Sequence, residues 1–234
     1  MSRIELFRKF GLGTVMALML AFCAPKASDN NYMSCTEMPD EEEGPYPYPG
    51  GEGTNPLNRS DITGGQTGVP LKLQFIVVNY ANGCALIPGA RVDIWHCNKD
   101  GYFSGYANQD GGLSGTQSFV GETWLRGFQI SDQNGIVNFT TIYPGWLTGR
   151  ATHMHVEVFI NGLLKKTSQI AFPESISQVV YASPKYVNHG NNPIKNTSDI
   201  VFGDNVLKLA AEILLITGNV NDGYVGNYII GVNL

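Results

Sequence analysis

The feature that most constrains the fold is a series of short alternating segments that begins at Pro70. Apolar and polar residues alternate within each segment, and β-branched and aromatic residues are frequent, as is typical of half-buried strands. The segments are PLKLQFIVVNY, GARVDIWHC, TWLRGFQI, GIVNFTTIY, THMHVEVFI and KKTSQIAF, separated by turn signals such as DQNG and NG. With a C-terminal pair they make roughly eight strands, which predicts an all-β antiparallel β-sandwich or barrel over residues 70–234.

One segment near the C-terminus is compatible with either a helix or a strand. LKLAAEILLI has the composition of a helix. It leads into TGNVNDGYVGNYIIGV, in which Gly, Asn and Asp form a turn between strand-like flanks. We therefore expect a terminal hairpin rather than a helix.

A targeting segment precedes these strands. Arg3, Arg8 and Lys9 come before the mostly apolar run GLGTVMALMLAF, which is the layout of a signal peptide over residues 1–22. The sequence LAFC resembles the cleavage box of a lipoprotein, so we expect Cys23 to be acylated and the protein to be exported and anchored to a membrane. Ordinary secretion, to a periplasmic or extracellular location, is the alternative.

Residues 23–69 are polar and rich in Gly and Pro, so we expect an exported linker or arm without a core. Because an exported chain meets oxidising conditions, its cysteines can pair. Cys84 and Cys97 bracket a predicted strand and form the expected bridge, which leaves Cys35 without an assigned partner. The net charge is −5 and basic residues are scattered, so we expect no nucleic-acid partner.

Two histidines, His153 and His155, lie one residue apart in a strand-like run. Alternate residues of a strand share a face, so both imidazoles point to one side, about 6.6 Å apart along the chain, and can reach one metal ion. Arg150 could stabilise a developing anion, and Gln169 on the next predicted strand could form a hydrogen bond to a ligand. A purely structural role for the four residues is the alternative.

Longer motifs resemble the intradiol ring-cleavage dioxygenases. VDIWHCNKDGYFSGY, ETWLRGFQISDQNGIVNFTTIYPGWLTGRATHMH and TSQIAFPE occur in the order of that family, and the upstream EEGPYPYP and NRSDI resemble its entry segment. The likeness extends over residues 35–234 and is greatest to exported, single-domain members.

This resemblance implies an antiparallel β-sandwich with a mononuclear non-haem Fe(III). It implies that O₂ is used to cleave a small aromatic diol, a catechol, to a muconate-type diacid. The iron ligands would include His153 and His155, and Arg150 and Gln169 would face the substrate.

The same resemblance implies two tyrosinate ligands, but their positions hold other residues. One falls eight residues after the Trp of the DIWH motif, at Phe103, and the other follows PGW, at Leu147. Tyr102 is a candidate third ligand if a β-bulge turns it toward the histidines. Since anionic oxygen ligands stabilise Fe(III), we expect an impaired or repurposed metal site, without the burgundy tyrosinate-to-Fe(III) colour of the family.

Several alternatives stay open. Glu157 shares the strand face with both histidines, which permits a divalent-metal site of three residues, although they span about 13 Å. Asp199, in KNTSDIVF, is explained by a turn. The function could be that of an altered dioxygenase, a non-catalytic protein that binds an aromatic or sugar ligand, or a structural surface protein. A homo-oligomer is compatible with the sequence.

Overall fold

The computed structural model describes residues 35–234. The predicted signal peptide, residues 1–22, and the predicted acylation site, Cys23, lie outside the described residues. Within the described range, no helix has the length and apolar character needed to cross a membrane.

Nine strands and two α-helices form the regular structure of this range, together with short 3-10 turns. The strands are β1 (Pro70–Asn79), β2 (Ala85–Leu86), β3 (Arg91–Trp95), β4 (Arg126–Ile130), β5 (Ile136–Ile142), β6 (His153–Ile160), β7 (Leu163–Ala171), β8 (Leu215–Asn219) and β9 (Gly223–Val232). The helices are α1 (Glu174–Tyr181) and α2 (Val206–Glu212).

The strands form two sheets, which confirms the predicted β-sandwich. The first sheet has the order β2-β1-β9-β8, with β5 also paired to β1, and the second has the order β4-β3-β6-β7. The second sheet is antiparallel throughout. In the first sheet β1 and β9 run parallel, a departure from the antiparallel expectation that arises because the two ends of the domain pair with each other.

The core lies between the sheets and explains the alternation in β6. Met154, Val156 and Val158 of β6 are fully buried and belong to one cluster with Leu73 and Phe75 of β1. Because side chains alternate along a strand, the other residues of β6 point to the outer face of the second sheet, and both histidines are among them.

Residues 35–69 pack on the sandwich, although periodicity in the sequence predicts no core there. Met38, Ile62 and Val69 are at most 2% exposed and belong to the main core. The Met38 amide donates to the Gly231 carbonyl at 2.9 Å. Glycine is required at position 231, because a Cβ there would collide with the carbonyl oxygen of Thr36. The arm is therefore part of the domain.

The disulfide joins Cys35 to Cys84, with Cα atoms 5.9 Å apart, and Cys97 is a buried free thiol. The predicted bridge between Cys84 and Cys97 is wrong. Cys84 lies in the turn after β1, whereas Cys97 follows β3 in a cluster with Trp95 and Phe103. The extended β3 holds the two cysteines apart, since each strand residue adds about 3.3 Å.

The segment LKLAAE is helical, where we expected a strand. Helix α2 begins after Asn205, whose Oδ1 accepts hydrogen bonds from the amides of Leu207 and Lys208 at 2.8 and 3.4 Å. This cap and a run of good helix formers favour the helix. The expected terminal hairpin is present, but it starts later, as β8 and β9.

Candidate functional site

His153 and His155 lie side by side at the start of β6. Their ring centroids are 4.9 Å apart, and the ring planes make an angle of 78°. An ion about 2.0–2.1 Å from a ring nitrogen lies about 3.2 Å from the ring centre, so two imidazoles on one ion have centres about 4.5–5.2 Å apart. The pair therefore has the spacing that a shared ion requires.

Different contacts hold the two rings. Nδ1 of His153 is 2.7 Å from the Ala151 carbonyl oxygen, so this nitrogen carries the proton and Nε2 keeps its lone pair. His155 stacks on Trp95 at 4.9 Å between centroids and meets Phe103 edge-on at 5.9 Å. Nδ1 of His155 is buried without a hydrogen-bond partner among the described residues.

The pair is uncharged at neutral pH. His153 is 4% exposed and His155 is 1% exposed. Burial lowers the pKa of His153 to about 3, and the charge of Arg150 adds to this effect. Burial, followed by the proximity of His153, lowers the pKa of His155 well below its usual value. Neutral imidazole is the form that binds metals, but it brings no negative charge to a cation.

Arg150 and Gln169 meet near the pair. Nη2 of Arg150 donates to Oε1 of Gln169 at 2.7 Å, and the guanidinium donates to both oxygens of Asp199 at 2.9 and 3.2 Å. Asp199 also accepts hydrogen bonds from the amides of Ala151 and Val201. The cation expected to stabilise an anion is therefore already paired with a carboxylate.

Asp199 is more than a turn residue, and sequence reasoning missed this. It is 3% exposed. Burial alone would raise the pKa of Asp199, but the hydrogen bonds and charge of Arg150, together with backbone amides, outweigh burial and lower it. The sequence signal for this role of Asp199 is the resemblance of the segment KNTSDIVF to a loop of the intradiol family.

The arm covers the site. The Glu42 carbonyl accepts a hydrogen bond from Nε2 of Gln169 at 2.8 Å. Gly44 packs so closely on His155 that a Cβ would lie 2.7 Å from Cε1 of the ring. Tyr46 stacks on Phe103 with centroids 4.8 Å apart. These contacts belong to the segment EEGPYPYP, whose likeness to a family entry segment was the only hint in the sequence.

Comparison with known proteins gives a consistent result. No family model matches the chain, and no curated protein matches it. An intradiol ring-cleavage dioxygenase from Tetranychus urticae matches with a TM-score of 0.74 and 28% identity, over 85% of this chain and 95% of that one. A second dioxygenase structure matches with a TM-score of 0.73 and 30% identity over the same shares. This chain belongs to the intradiol ring-cleavage dioxygenase family.

More distant structures share the intradiol fold. The dioxygenase domain of a carbohydrate-binding fusion protein from Streptomyces sp. SirexAA-E matches with a TM-score of 0.59 over 85% of this chain and 99% of that chain. Its sequence identity of 23% makes the match evidence for the fold alone.

The residues present do not fit the ferric ion of the intradiol family. Phe103 is 1% exposed and forms a cluster with Trp95, against which the half-buried Leu147 packs. In residues 35–234, no group of three or more His, Cys, Asp or Glu side chains could hold a metal ion. Hard Fe(III) prefers anionic oxygen ligands, and two neutral imidazoles alone do not supply them.

The structure does not bring Tyr102 to the histidines. The Tyr102 hydroxyl donates to the Gly115 carbonyl at 2.6 Å and accepts from the Ser114 amide at 2.7 Å. Phe103 is the residue that meets His155, because neighbours in an extended chain face opposite sides. The predicted rescue of the metal site by Tyr102 is therefore not formed.

Glu157 does not complete a metal site either. Its Oε1 accepts a hydrogen bond from Oγ1 of Thr167 at 3.0 Å, and the side chain is 3% exposed. Burial raises the pKa of Glu157 to about 7. The alternative divalent site of His153, His155 and Glu157 is contradicted, because these residues do not form a metal-holding group.

Proposed function

We propose that this chain is an intradiol-family protein that has lost ring cleavage. One observation carries this proposal. Both expected phenolate positions hold hydrocarbon side chains, Phe103 and Leu147, and the nearby histidine pair is buried and uncharged. Without anionic oxygen ligands the pair stabilises Fe(III) poorly. Unlike the family's tyrosinates, Phe103 and Leu147 cannot accept the proton of an incoming catechol.

We infer that the remaining site binds a small aromatic diol without cleaving it. Arg150 and Gln169 are present as hydrogen-bonding groups. The half-buried Tyr46 and Leu147 supply aromatic and aliphatic surface of the kind that lines small-molecule sites. A sugar is the alternative ligand, because hydroxyl groups are common to both classes.

Metal content, visible absorption and O₂ uptake with catechol test the loss of cleavage. We expect little iron, no burgundy colour and no O₂ uptake from protein produced in iron-rich medium. An iron-loaded, coloured protein that consumes O₂ would overturn the proposal. A variant in which His153 and His155 are both replaced by Ala is the control, since metal that it retains is bound elsewhere.

Thermal unfolding tests the binding proposal separately. A ligand that binds only the folded state raises the free energy of unfolding, and with it the Tm. At a hundredfold excess of ligand over Kd, the free energy of unfolding rises by about 2.7 kcal/mol. We expect catechol to raise the Tm of the wild-type protein and to have less effect on Gln169→Ala. No stabilisation by catechols would contradict diol binding, and stabilisation by sugars alone would favour the other ligand class.

We also propose that the protein is exported. The Cys35–Cys84 disulfide supports this, because disulfides persist mainly in oxidising compartments. The intact mass of the mature chain tests the proposed lipid anchor. A mass that corresponds to an acylated Cys23 at the N-terminus would support it, and a mature chain that still contains residues 1–22 would contradict it.

A further inference from the structure

A stretch of the arm, residues 35–46, crosses the second sheet and is called the strap here. The strap is fixed at its start by the disulfide and by Met38, which is buried in the core. It is fixed at its end by Tyr46, which stacks on Phe103. The part between these two anchors lies over β7 and reaches His155 at Gly44. Access to the histidine pair therefore depends on what holds the middle of the strap.

The middle of the strap is held by few contacts with the sheet. The Glu41 amide donates to the Thr167 carbonyl at 3.0 Å. The Lys166 ammonium is 2.7 Å from a carboxylate oxygen of Asp40, which is exposed. Because Asp40 is exposed, solvent screens this pair on one side, although the Lys166 side chain is buried. Two more contacts hold this section: the Glu42 carbonyl accepts a hydrogen bond from Nε2 of Gln169 at 2.8 Å, and the side chain of Glu41 points toward Lys208 of helix α2.

Glu41 meets a second carboxyl group, Glu212 of α2. Glu212 is fully buried, and neither of its oxygens has a hydrogen-bond partner among the described residues while it is ionised. The ion pair with Lys208 holds the Glu41 carboxyl against α2, on the side where Glu212 interacts with it. A proton on Glu212 removes the repulsion between the two carboxylates. It also gives Glu212 a hydrogen bond, because the protonated carboxyl donates to Glu41.

Other charged and titratable groups surround this pair. Nζ of Lys208 is 2.8 Å from Oε1 of Glu41 and 2.9 Å from Oδ2 of Asp204. Tyr228 of β9 faces Glu212, and its hydroxyl donates to the Ala211 carbonyl. One ammonium is thus shared by two carboxylates, which leaves no cation for a third. Burial, followed by the hydrogen bond and charge of Glu41, raises the pKa of Glu212 to about 8.

We propose that the strap is a pH-sensitive cover of the histidine pair, latched by a proton shared between Glu41 and Glu212. When Glu212 loses this proton, two carboxylates face each other in a buried place and repel. The middle of the strap then leaves α2 and β7, and His155 becomes accessible while both anchors stay in place. This device does not depend on which ligand the site binds.

The direction of the pH dependence follows from the raised pKa. Its contribution to closure is full below the usual carboxyl pKa of 4.5 and is lost as the pH rises through about 8. Between these two values each pH unit lowers the ratio of closed to open protein about tenfold, and above about 8 the ratio levels off, so it falls about tenfold in total from pH 7 to pH 9.

Hydrogen exchange of the Glu41 amide, corrected for intrinsic exchange rates, measures this opening. We expect its protection to fall about tenfold from pH 7 to pH 9, in line with the linkage above. The Met38 amide, bonded to Gly231 near the disulfide anchor, should keep its protection. Equal loss at both amides would indicate general loosening and would overturn the proposal.

Glu212→Gln keeps a donor for Glu41 but cannot ionise, so its Glu41 amide should stay protected at pH 9. Glu41→Gln removes the repulsion from the other side and should give the same result, which decides the matter if Glu212→Gln does not fold. Glu122→Gln, at an exposed loop position, is the matched control and should behave like the wild type. A wild-type protection that does not change with pH, or a loss that persists in both strap variants, would overturn the proposal.

Discussion

Restoring the two missing phenols tests the central argument about the metal site. In the double variant Phe103→Tyr, Leu147→Tyr the chain regains a hydroxyl at each position where the family resemblance implies a tyrosinate. The Phe103 ring centre is 5.9 Å from that of His155. A phenolate oxygen lies about 2.8 Å from its ring centre and binds a metal at about 2 Å, so it can share an ion with His155 across that distance.

The cost without metal follows from burial. Phe103 is 1% exposed and surrounded by aromatic rings, so a hydroxyl placed there lacks a partner and costs about 1–3 kcal/mol. For a domain of this size that lowers the Tm by about 2–12 °C. Ferric ion at a hundredfold excess over its Kd would return about 2.7 kcal/mol, or about 5–11 °C.

Calorimetry and visible absorption of the variant, with and without Fe(III), measure both effects. We expect a Tm below that of the wild type, recovery with Fe(III), and the appearance of a tyrosinate charge-transfer band. Phe139→Tyr is the matched control, because Phe139 is 2% exposed but lies in the main core. It should lose stability and gain nothing from iron. A folded double variant that stays colourless with Fe(III) would refute the idea that the two phenols are what the site lacks.

Two further predictions concern the contacts that frame the site. Replacing Cys35 and Cys84 together by Ser opens a loop with a sequence separation of 49 residues, which should cost about 4 kcal/mol and lower the Tm by about 8–16 °C; a Tm that a reducing agent does not change in the wild type would contradict this. Asp199→Asn leaves Arg150 buried without its carboxylate, which should cost about 3–5 kcal/mol in chemical denaturation. Because the pKa of Asp199 is lowered, its contribution is present above about pH 4 and is lost as the pH falls further, so the variant should lack that part of the acid transition.

The sequence predicted those features that local patterns control. Alternation placed Met154 in the core and both histidines on the opposite face, and the structure has them there. The same alternation explains why Tyr102 cannot take the place of Phe103. The disulfide partner of Cys35 and the parallel pairing of β1 with β9 join segments far apart in the chain, and no local signal encodes such contacts.

Local sequence patterns also did not predict that the strap covers the site. Residues 35–69 contain few apolar residues at any regular spacing, yet Met38 and Ile62 fill the core as single side chains. Gly44 contacts His155 because it has no side chain, and the absence of a side chain is not a pattern that periodicity can detect. The carboxyl pair of Glu41 and Glu212 forms only once the arm has packed on α2.

The charged groups near Phe103 and Leu147 balance each other without iron. Arg150 and Asp199 neutralise each other, and the histidines are neutral because burial lowers their pKa values. Arg150, Asp199 and the two histidines together therefore carry no net charge, and Phe103 and Leu147 add no unpaired phenol. A tyrosine at Phe103 without a metal would place an unpaired hydroxyl in the buried site, and Fe(III) here would be a buried cation without anions, both of which are costly. Hydrocarbon at both positions leaves no unpaired hydroxyl beside the histidine pair in the absence of iron.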